Sequence, residues 1–147
     1  MHIRPATPAD ILDLLALEEQ TPRAAHWDRA TYDAALASAS SRTILLAESN
    51  SRISGFVVAH ILGSEWEIEN VVVADGAQRS GLGTQLLRAL LVKAHRHGTD
   101  TIYLEVRESN TAARGLYIKA GFSESGRRKS YYRNPEEDAI LYRLDRP

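Results

Sequence analysis

The feature that most constrains this chain is a run of apolar residues followed by a glycine-containing loop and an amphipathic segment. Residues 71–73 are Val-Val-Val, and consecutive apolar positions are typical of a strand that is buried on both faces. The loop 78–84 contains Gly81 and Gly83, and the leucines that follow recur at the spacing of one helix face. A buried strand that leads through a loop into a helix predicts an α/β or α+β domain.

The other segments predict one mixed sheet with helices around it. Apolar runs and period-two patterns predict strands, whereas helical spacing with capping signals predicts helices. The predicted strands are 2–4, 43–48, 53–61, 65–74, 101–106, 130–133 and 138–144, and three of the predicted helices are 8–20, 28–40 and 112–120. The fourth predicted helix has an apolar stripe over residues 82–94 and is ended by a cap at His97-Gly98. Because 147 residues with no repeat and no linker suit one domain, residues 1–147 are expected to form a single domain.

Composition excludes several classes of protein. The chain has no Cys, which rules out disulfides, thiolate zinc sites and a cysteine nucleophile. A net charge of -1 disfavours a binder of duplex nucleic acid, and no apolar run is long enough for a membrane span. The five histidines are scattered, so no metal site is predicted. A cytoplasmic protein without a membrane or direct nucleic-acid partner is expected.

The loop 78–84 has the features of a diphosphate-binding site. Its glycines allow the backbone to approach a ligand closely, and the first amides of the following helix point outward with the positive end of the dipole. Arg79 could add a charge-assisted contact. The loop lacks the Gly-Lys-Ser/Thr ending of a Walker loop, and Leu86 stands where a Rossmann fingerprint has its third Gly. On spacing alone, a plain turn between strand and helix remains an alternative.

The pattern Gln-x-x-Gly-x-Gly at 78–83 resembles the acyl-CoA signature of the GNAT N-acetyltransferases. The resemblance extends over nearly the whole chain. The segments that resemble more specifically the RimI type, the bacterial ribosomal-protein-alanine N-acetyltransferases, are 104–110, 116–117, 121–122, 127–128, 131–132 and 137–140. This family implies a mixed, mostly antiparallel sheet flanked by helices, whose central parallel strands splay to admit acetyl-CoA.

The resemblance implies which residues hold acetyl-CoA, the co-substrate of this family. The main chain of Val71, Val72 and Val73 would bind the pantetheine arm, while the valine side chains belong to the sheet core. The diphosphate would lie on a loop made of Arg79, Ser80, Gly81, Leu82, Gly83 and Thr84. Asn110 would make a further cofactor contact, a role compatible with capping the next helix.

The resemblance also implies a base and an acid. An α-amine has a pKa of about 7.7–8.0, so much of it must lose a proton before it can attack. Glu105 lies where the family has its general base, and Tyr117 lies where it has the proton donor for the departing thiolate. A backbone N–H near Val73 would hold the oxyanion. Without the family, Glu105 reads as a solvated strand residue and Tyr117 as a core residue. Other GNAT enzymes place their base on the fourth strand, so the resemblance also makes Glu69, on that strand, a competing base.

The implied acceptor is the N-terminal α-amine of a small-subunit ribosomal protein, acetylated by direct attack in a ternary complex. Glu69 is expected to bind the cationic N-terminus, and Glu65 and Glu67 share its strand face either as solvated surface or to attract basic residues. The basic segment 127–133 is interpreted as a solvated hairpin rather than an RNA site. The alternatives are a GNAT enzyme acting on lysine or a small amine, and an acyl-CoA-binding module without turnover. The sequence predicts no oligomeric state.

Overall fold

A seven-stranded sheet and four α-helices make up residues 1–21 and 24–147, which are the residues that this computed structural model describes. The strands are β1 (His2–Pro5), β2 (Arg42–Ser49), β3 (Arg52–Leu62), β4 (Glu65–Val73), β5 (Thr101–Arg107), β6 (Ser123–Tyr132) and β7 (Glu137–Asp145). The helices are α1 (Ile11–Glu19), α2 (Arg29–Ala37), α3 (Leu82–Arg96) and α4 (Thr111–Lys119). Among the helices of the described residues, none is long and apolar enough to cross a membrane.

The strands lie in the order β1-β2-β3-β4-β5-β7-β6. Neighbouring strands are antiparallel, except that β4 and β5 are parallel because α3 crosses over between them. The predicted mixed, mostly antiparallel sheet with flanking helices is confirmed.

Helices cover the sheet on both faces. On one side, here called the α3 face, α3 and α4 pack over Ile68 and Leu104. On the other side, the α1 face, α1 and α2 pack over Val58 and Val72. Since strand residues alternate between the two faces, the middle of the sheet is apolar on both sides, which accounts for the unbroken run at 71–73.

The two parallel strands separate halfway along their length. The last pair between β4 and β5 is Ile68 opposite Leu104. Beyond it β4 stays paired with β3 and β5 stays paired with β7, so the two strands diverge. The wedge-shaped opening between residues 69–73 and 105–107 is called the cleft below. The predicted splay of the central strands is therefore present.

A β-bulge in β4 lies at the closed end of the cleft. Val58 of β3 pairs with Asn70 whereas Ala59 pairs with Ile68, so Glu69 is the extra residue. Ile68 packs on the α3 face, but the side chains of Glu69 and Asn70 both contact groups on the α1 face. Two adjacent side chains thus emerge on the same side of the sheet.

Two predicted segments differ clearly from the structure. β6 spans Ser123–Tyr132 rather than 130–133, because an almost fully exposed edge strand lacks the apolar alternation that marks a strand. The predicted helix 8–20 is a 3-10 turn at Pro8–Asp10 followed by α1, since Thr7 and Asp10 form a capping box that starts the turn. The other boundaries differ by a few residues, as frayed helix and strand ends usually do.

Candidate active site

Two carboxylates mark the closed end of the cleft. Glu69 and Glu105 are the first residues of β4 and β5 beyond the last pair between these strands. Both side chains point to the α1 face, since the residues before them, Ile68 and Leu104, pack under α3. The side chains are 19% and 23% exposed, respectively. The two residues that the sequence offered as alternative bases therefore lie on neighbouring strands at the same level of the sheet.

Each carboxylate is paired with an arginine, but the two arginines differ. Arg42 Nε lies 2.6 Å from Glu69 Oε1, and its guanidinium carbon lies 5.8 Å from the centroid of the Trp27 ring. Arg128 Nε lies 3.0 Å from Glu105 Oε1, and its guanidinium carbon lies 5.4 Å from the centroid of the Tyr131 ring. The Arg128 side chain is 55% exposed, against 25% for Arg42. Because an exposed ion pair is worth about 0–1 kcal/mol, Arg128 can leave Glu105 more easily than Arg42 can leave Glu69.

Negative charge is concentrated around this point. Burial, together with the charges of Glu69 and Glu105, raises the pKa of Glu67. The charge of Glu105 also raises the pKa of the Tyr131 phenol. A groove of about 230 Å³ runs beside these groups and is lined in part by Glu67, Glu105 and Arg128. A cationic amine that enters the groove meets a favourable potential.

The main chain of β4 presents hydrogen-bonding groups to the cleft. Ala74 N donates to a carbonyl of β3 at 2.8 Å. Because residues of an antiparallel strand alternate in the direction of their N–H and C=O groups, Val72 also faces β3. Val71 and Val73 then face away from β3, toward the cleft. Of the three valines predicted to bind pantetheine, Val71 and Val73 direct their main-chain N–H and C=O groups into the cleft. The main-chain groups of Val72 instead face β3.

The glycine-containing loop leaves several amides free at the start of α3. Arg79 and Gly81 have positive φ angles of 62° and 83°, and Gly81 is the residue that caps the helix. The first amide that donates within α3 belongs to Gln85, whose acceptor is Gly81 O at 3.0 Å. The amides of residues 82–84 precede that first bond, so they are available to an anion at the positive end of the helix. Arg79 and Ser80 are exposed on the same loop.

Gly83 connects this loop to the cleft. A Cβ atom added there would lie 3.8 Å from Val73 Cγ2 and 3.3 Å from Leu116 Cδ2 of α4. The first turn of α3 therefore meets the open end of the cleft and α4 at one place. A ligand that extends from the free amides into the cleft passes the end of β4.

Tyr117 lies on α4 against the α3 face and is 6% exposed. Its ring centroid is 5.9 Å from that of Phe122 and 6.2 Å from that of Tyr142. Burial raises the pKa of the Tyr117 phenol, and the nearby Tyr132, when ionised, contributes in the same direction. Tyr117 therefore packs as a core residue and also keeps its proton at neutral pH.

Asn110 caps α4, as its position before that helix predicted. Its Oδ1 accepts a hydrogen bond from Ala113 N at 3.3 Å. The cap uses only the oxygen of the side-chain amide, so Nδ2 can donate to a ligand. Capping and a cofactor contact are thus compatible in one side chain.

Sequence reasoning missed four side chains that shape this region. Arg42 and Arg128 pair with the two glutamates only because of the registers of β2 and β6, which the sequence does not reveal. The guanidinium carbon of Arg107 lies 4.4 Å from the centroid of the Tyr132 ring. Burial, together with the charge of Glu105, raises the pKa of the Tyr132 phenol to about 12. Asn70 is only 7% exposed. The sequence signal that could have identified it is a polar residue directly before three valines in a buried strand.

Within residues 1–21 and 24–147, no three His, Cys, Asp or Glu side chains are grouped so as to hold a metal ion. His95 and His97 contact main-chain carbonyls of Pro147 and Lys93 through Nδ1, at 2.8 and 2.9 Å. The absence of a metal site stays a prediction.

A sequence profile of the Acetyltransferase (GNAT) family matches residues 9–122. The matched range contains the bulge, the glycine-containing loop and α3, together with the predicted site residues Glu69, Glu105 and Tyr117. It covers well over half of the chain.

Several named proteins are similar to this chain. The [ribosomal protein bS18]-alanine N-acetyltransferase of Escherichia coli is 37% identical over 97 residues, which is 65% of this chain and 66%, just under two thirds, of that protein. N-alpha-acetyltransferase RimI of Mycobacterium tuberculosis is 37% identical over 123 residues, or 81% of this chain and 75% of that protein. The crystal structure of the ribosomal-protein-S18-alanine N-acetyltransferase from E. coli superimposes with a TM-score of 0.87 at 29% identity, covering 98% of this chain and 92% of that one. The resemblance inferred from the sequence is confirmed.

Proposed function

Because the chain belongs to the Acetyltransferase (GNAT) family, we propose that it transfers the acetyl group of acetyl-CoA to the N-terminal α-amine of a small-subunit ribosomal protein. The observation that carries the proposal is the cleft, with Glu105 at its closed end and the free amides of α3 at its open end. Similar proteins are named ribosomal protein bS18-alanine N-acetyltransferases, which supports alanine as the first residue of the acceptor.

The cleft and the loop carry groups that suit acetyl-CoA. When bound, this co-substrate supplies an acetyl group activated as a thioester. The cleft-facing main chain of Val71 and Val73 suits the amides of the pantetheine arm, with Val72 fixing the strand between them. Asn110 Nδ2 offers a further donor. The diphosphate is assigned to the loop and first turn of α3, which comprise Arg79, Ser80, Gly81, Leu82, Gly83 and Thr84.

Glu105 is assigned the role of general base. It accepts the proton that the acceptor's ammonium group must lose, directly or through one water. Its partner Arg128 is exposed on an edge strand and can move aside. Glu69 keeps its ion pair with Arg42, so we assign it to binding the acceptor's cationic N-terminus rather than to proton transfer.

The main chain of Val73 and the phenol of Tyr117 are assigned to the later steps. The Val73 N–H faces the cleft and stabilises negative charge that develops on the acetyl oxygen. Tyr117 keeps its proton because burial raises its pKa, and it donates to the sulfur as coenzyme A leaves. From ammonium to amide the acceptor nitrogen loses two protons. Glu105 takes the first and releases it to water, and the second replaces the proton that Tyr117 gives to the sulfur. Since the chain has no Cys to carry the acetyl group, transfer is direct within a ternary complex.

Residues 1–147 are proposed to act as one GNAT domain in the cytoplasm, with a ribosomal protein as partner. The proposed chemistry uses acid–base groups and main-chain dipoles of this chain, with acetyl-CoA as co-substrate. It requires no membrane and no direct contact with nucleic acid.

The test uses a peptide that begins with Ala and contains one internal Lys. Free coenzyme A is measured, and mass spectrometry locates a labelled acetyl group. The matched control is the same peptide with its N-terminus formylated. We expect release of coenzyme A only with the free N-terminus and label on the α-nitrogen. Label on the lysine of the blocked peptide would favour a side-chain acetyltransferase, and binding of acetyl-CoA without release would favour a binding module.

A further inference from the structure

The bulge in β4 brings Asn70 into contact with the loop that joins α1 to α2. Asn70 Nδ2 donates to Ala25 O at 3.0 Å, and Asn70 Oδ1 accepts from Ala25 N at 3.2 Å. Both halves of the buried side-chain amide are therefore bonded to the main chain of a single residue. A two-point contact of this kind fixes position as well as distance, and breaking it leaves buried polar groups without partners.

Further contacts hold Trp27, which lies two residues farther along the same loop. Glu18 Oε2 accepts from Trp27 N at 3.0 Å, and the Trp27 ring lies 5.2 Å from that of Tyr32. Arg42 lies over the Trp27 ring and also pairs with Glu69. The loop is thus attached to both residues of the bulge, to Asn70 directly and to Glu69 through one guanidinium group.

The attached segment, residues 24–28, borders the closed end of the cleft. Trp27 and Glu69 share the guanidinium of Arg42, so the segment lies next to the carboxylate assigned to the acceptor's N-terminus. His26, between the two held residues, is exposed. The bulge makes this arrangement possible, because regular alternation would point Asn70 to the opposite face from Glu69.

We propose that Asn70 is a positioning residue for the acceptor. Its two hydrogen bonds to Ala25 hold the segment 24–28 beside Glu69, and this placement sets the affinity for the acceptor rather than the rate of the chemical step. The kinetic part of this proposal rests on the acetyltransferase function proposed above. The placement of the segment is a property of the fold and can be measured without turnover.

The kinetic test compares two variants with a matched control. Asn70→Asp keeps the shape of the side chain but replaces the donor to Ala25 O with an oxygen, and Asn70→Leu removes both hydrogen bonds. The control is Thr101→Val, because Thr101 is also 7% exposed and donates to Asp145 Oδ1 at 2.9 Å, at the start of β5 and away from the cleft. For both Asn70 variants we expect the acceptor KM to rise about tenfold. The kcat and the KM for acetyl-CoA should change less than about twofold, and the control should alter none of the three.

The second test follows Trp27 itself. The chain has two tryptophans, and Trp66 is a core residue that is 1% exposed, so a Trp66→Phe background leaves Trp27 as the only tryptophan reporter. Quenching of its fluorescence by acrylamide measures access to the ring. We expect stronger quenching in the Asn70 variants than in the parent and in Thr101→Val. If Asn70→Leu does not fold, Asn70→Ser replaces it.

A joint rise in Trp27 quenching and acceptor KM supports the proposal. Unchanged quenching overturns it, whatever the activity. A fall in kcat with unchanged acceptor KM also overturns it, since Asn70 would then act on the chemistry. If the parent protein released no coenzyme A, the proposed function would fail, and the quenching comparison would still decide whether Asn70 holds the segment.

Discussion

Glu69 and Glu105 occupy corresponding positions on β4 and β5, one residue beyond the last pair of these strands. Each has its own arginine, at 2.6 Å in the case of Glu69 and 3.0 Å in the case of Glu105. Each arginine also lies over an aromatic ring, but the Arg42 side chain is 25% exposed, whereas that of Arg128 is 55% exposed on an edge strand. The two carboxylates are therefore distinguished by how easily their partners can be displaced.

Replacement of Glu105 tests its role as the base. Glu105→Gln should lower kcat by about 10²–10⁴ at saturating peptide, because the amide cannot accept the proton. Glu69→Gln should act mainly on the acceptor KM, and Arg128→Ala should retain most of the turnover. Steady-state measurements of kcat and the acceptor KM for the three variants at one pH distinguish these roles. Near-normal kcat in Glu105→Gln together with its collapse in Glu69→Gln would move the base to β4.

Removal of one hydroxyl tests Tyr117. Tyr117→Phe keeps the ring that packs on Phe122 and Tyr142, so the melting temperature should hardly change while kcat falls at least about tenfold. Tyr142→Phe is the matched control, since Tyr142 is buried and its hydroxyl accepts from Arg114 Nε at 3.0 Å. Equal kcat values for these two variants would argue that Tyr117 is only a core residue.

A charge at Gly83 tests the diphosphate site. Gly83→Asp places a carboxylate on the first turn of α3, so the Kd for acetyl-CoA should rise more than about tenfold through repulsion of the diphosphate. Gly83→Ala introduces the same contact with Leu116 without a charge, so it isolates the steric part. Calorimetry on folded variants gives both affinities. An Asp variant that binds as well as the Ala variant would place the diphosphate elsewhere.

Acid titration tests the ion pair between Arg4 of β1 and Asp10 of the 3-10 turn before α1. Asp10 is 6% exposed and accepts from both terminal nitrogens of Arg4 at 2.9 Å, which lowers its pKa from the usual 3.8 to about 2. A carboxyl with a lowered pKa stabilises the fold above its usual pKa, and this stability is lost as the pH falls through the folded value. Asp10→Asn should thus cost about 2 kcal/mol at pH 7, and the difference should shrink toward pH 2. Urea unfolding at several pH values measures it, and a difference independent of pH would contradict the assignment.

Charge reversal in the peptide tests the acidic face of β4. Glu65 is exposed and Glu67 is half-buried, and both share the strand face of Glu69. If these carboxylates attract basic residues, kcat/KM should be higher for Ala peptides with Arg at the next positions than for those with Glu. Salt should reduce this preference because charges are screened over about 8–10 Å. The double variant Glu65→Gln/Glu67→Gln should lose it, and an unchanged preference would make this face plain solvated surface.

The sequence revealed those parts of the site that depend on local patterns. The valine run and the glycine-containing loop predicted a buried strand and a helix start, and the structure has both. The ion pairs of Arg42 and Arg128 depend on strand registers that no local pattern encodes. The bulge is visible in the sequence in one way, because the adjacent polar residues Glu69 and Asn70 interrupt the alternation of polar and apolar residues along β4.

Acetylation of an N-terminal α-amine is tested most directly by mass spectrometry of a mixture of ribosomal proteins incubated with the protein and labelled acetyl-CoA. We expect label on the N-terminal α-amine of one small-subunit protein that begins with Ala, and loss of this label in Glu105→Gln. Label confined to lysine side chains, or no label on any N-terminus while coenzyme A is released, would contradict the proposed function.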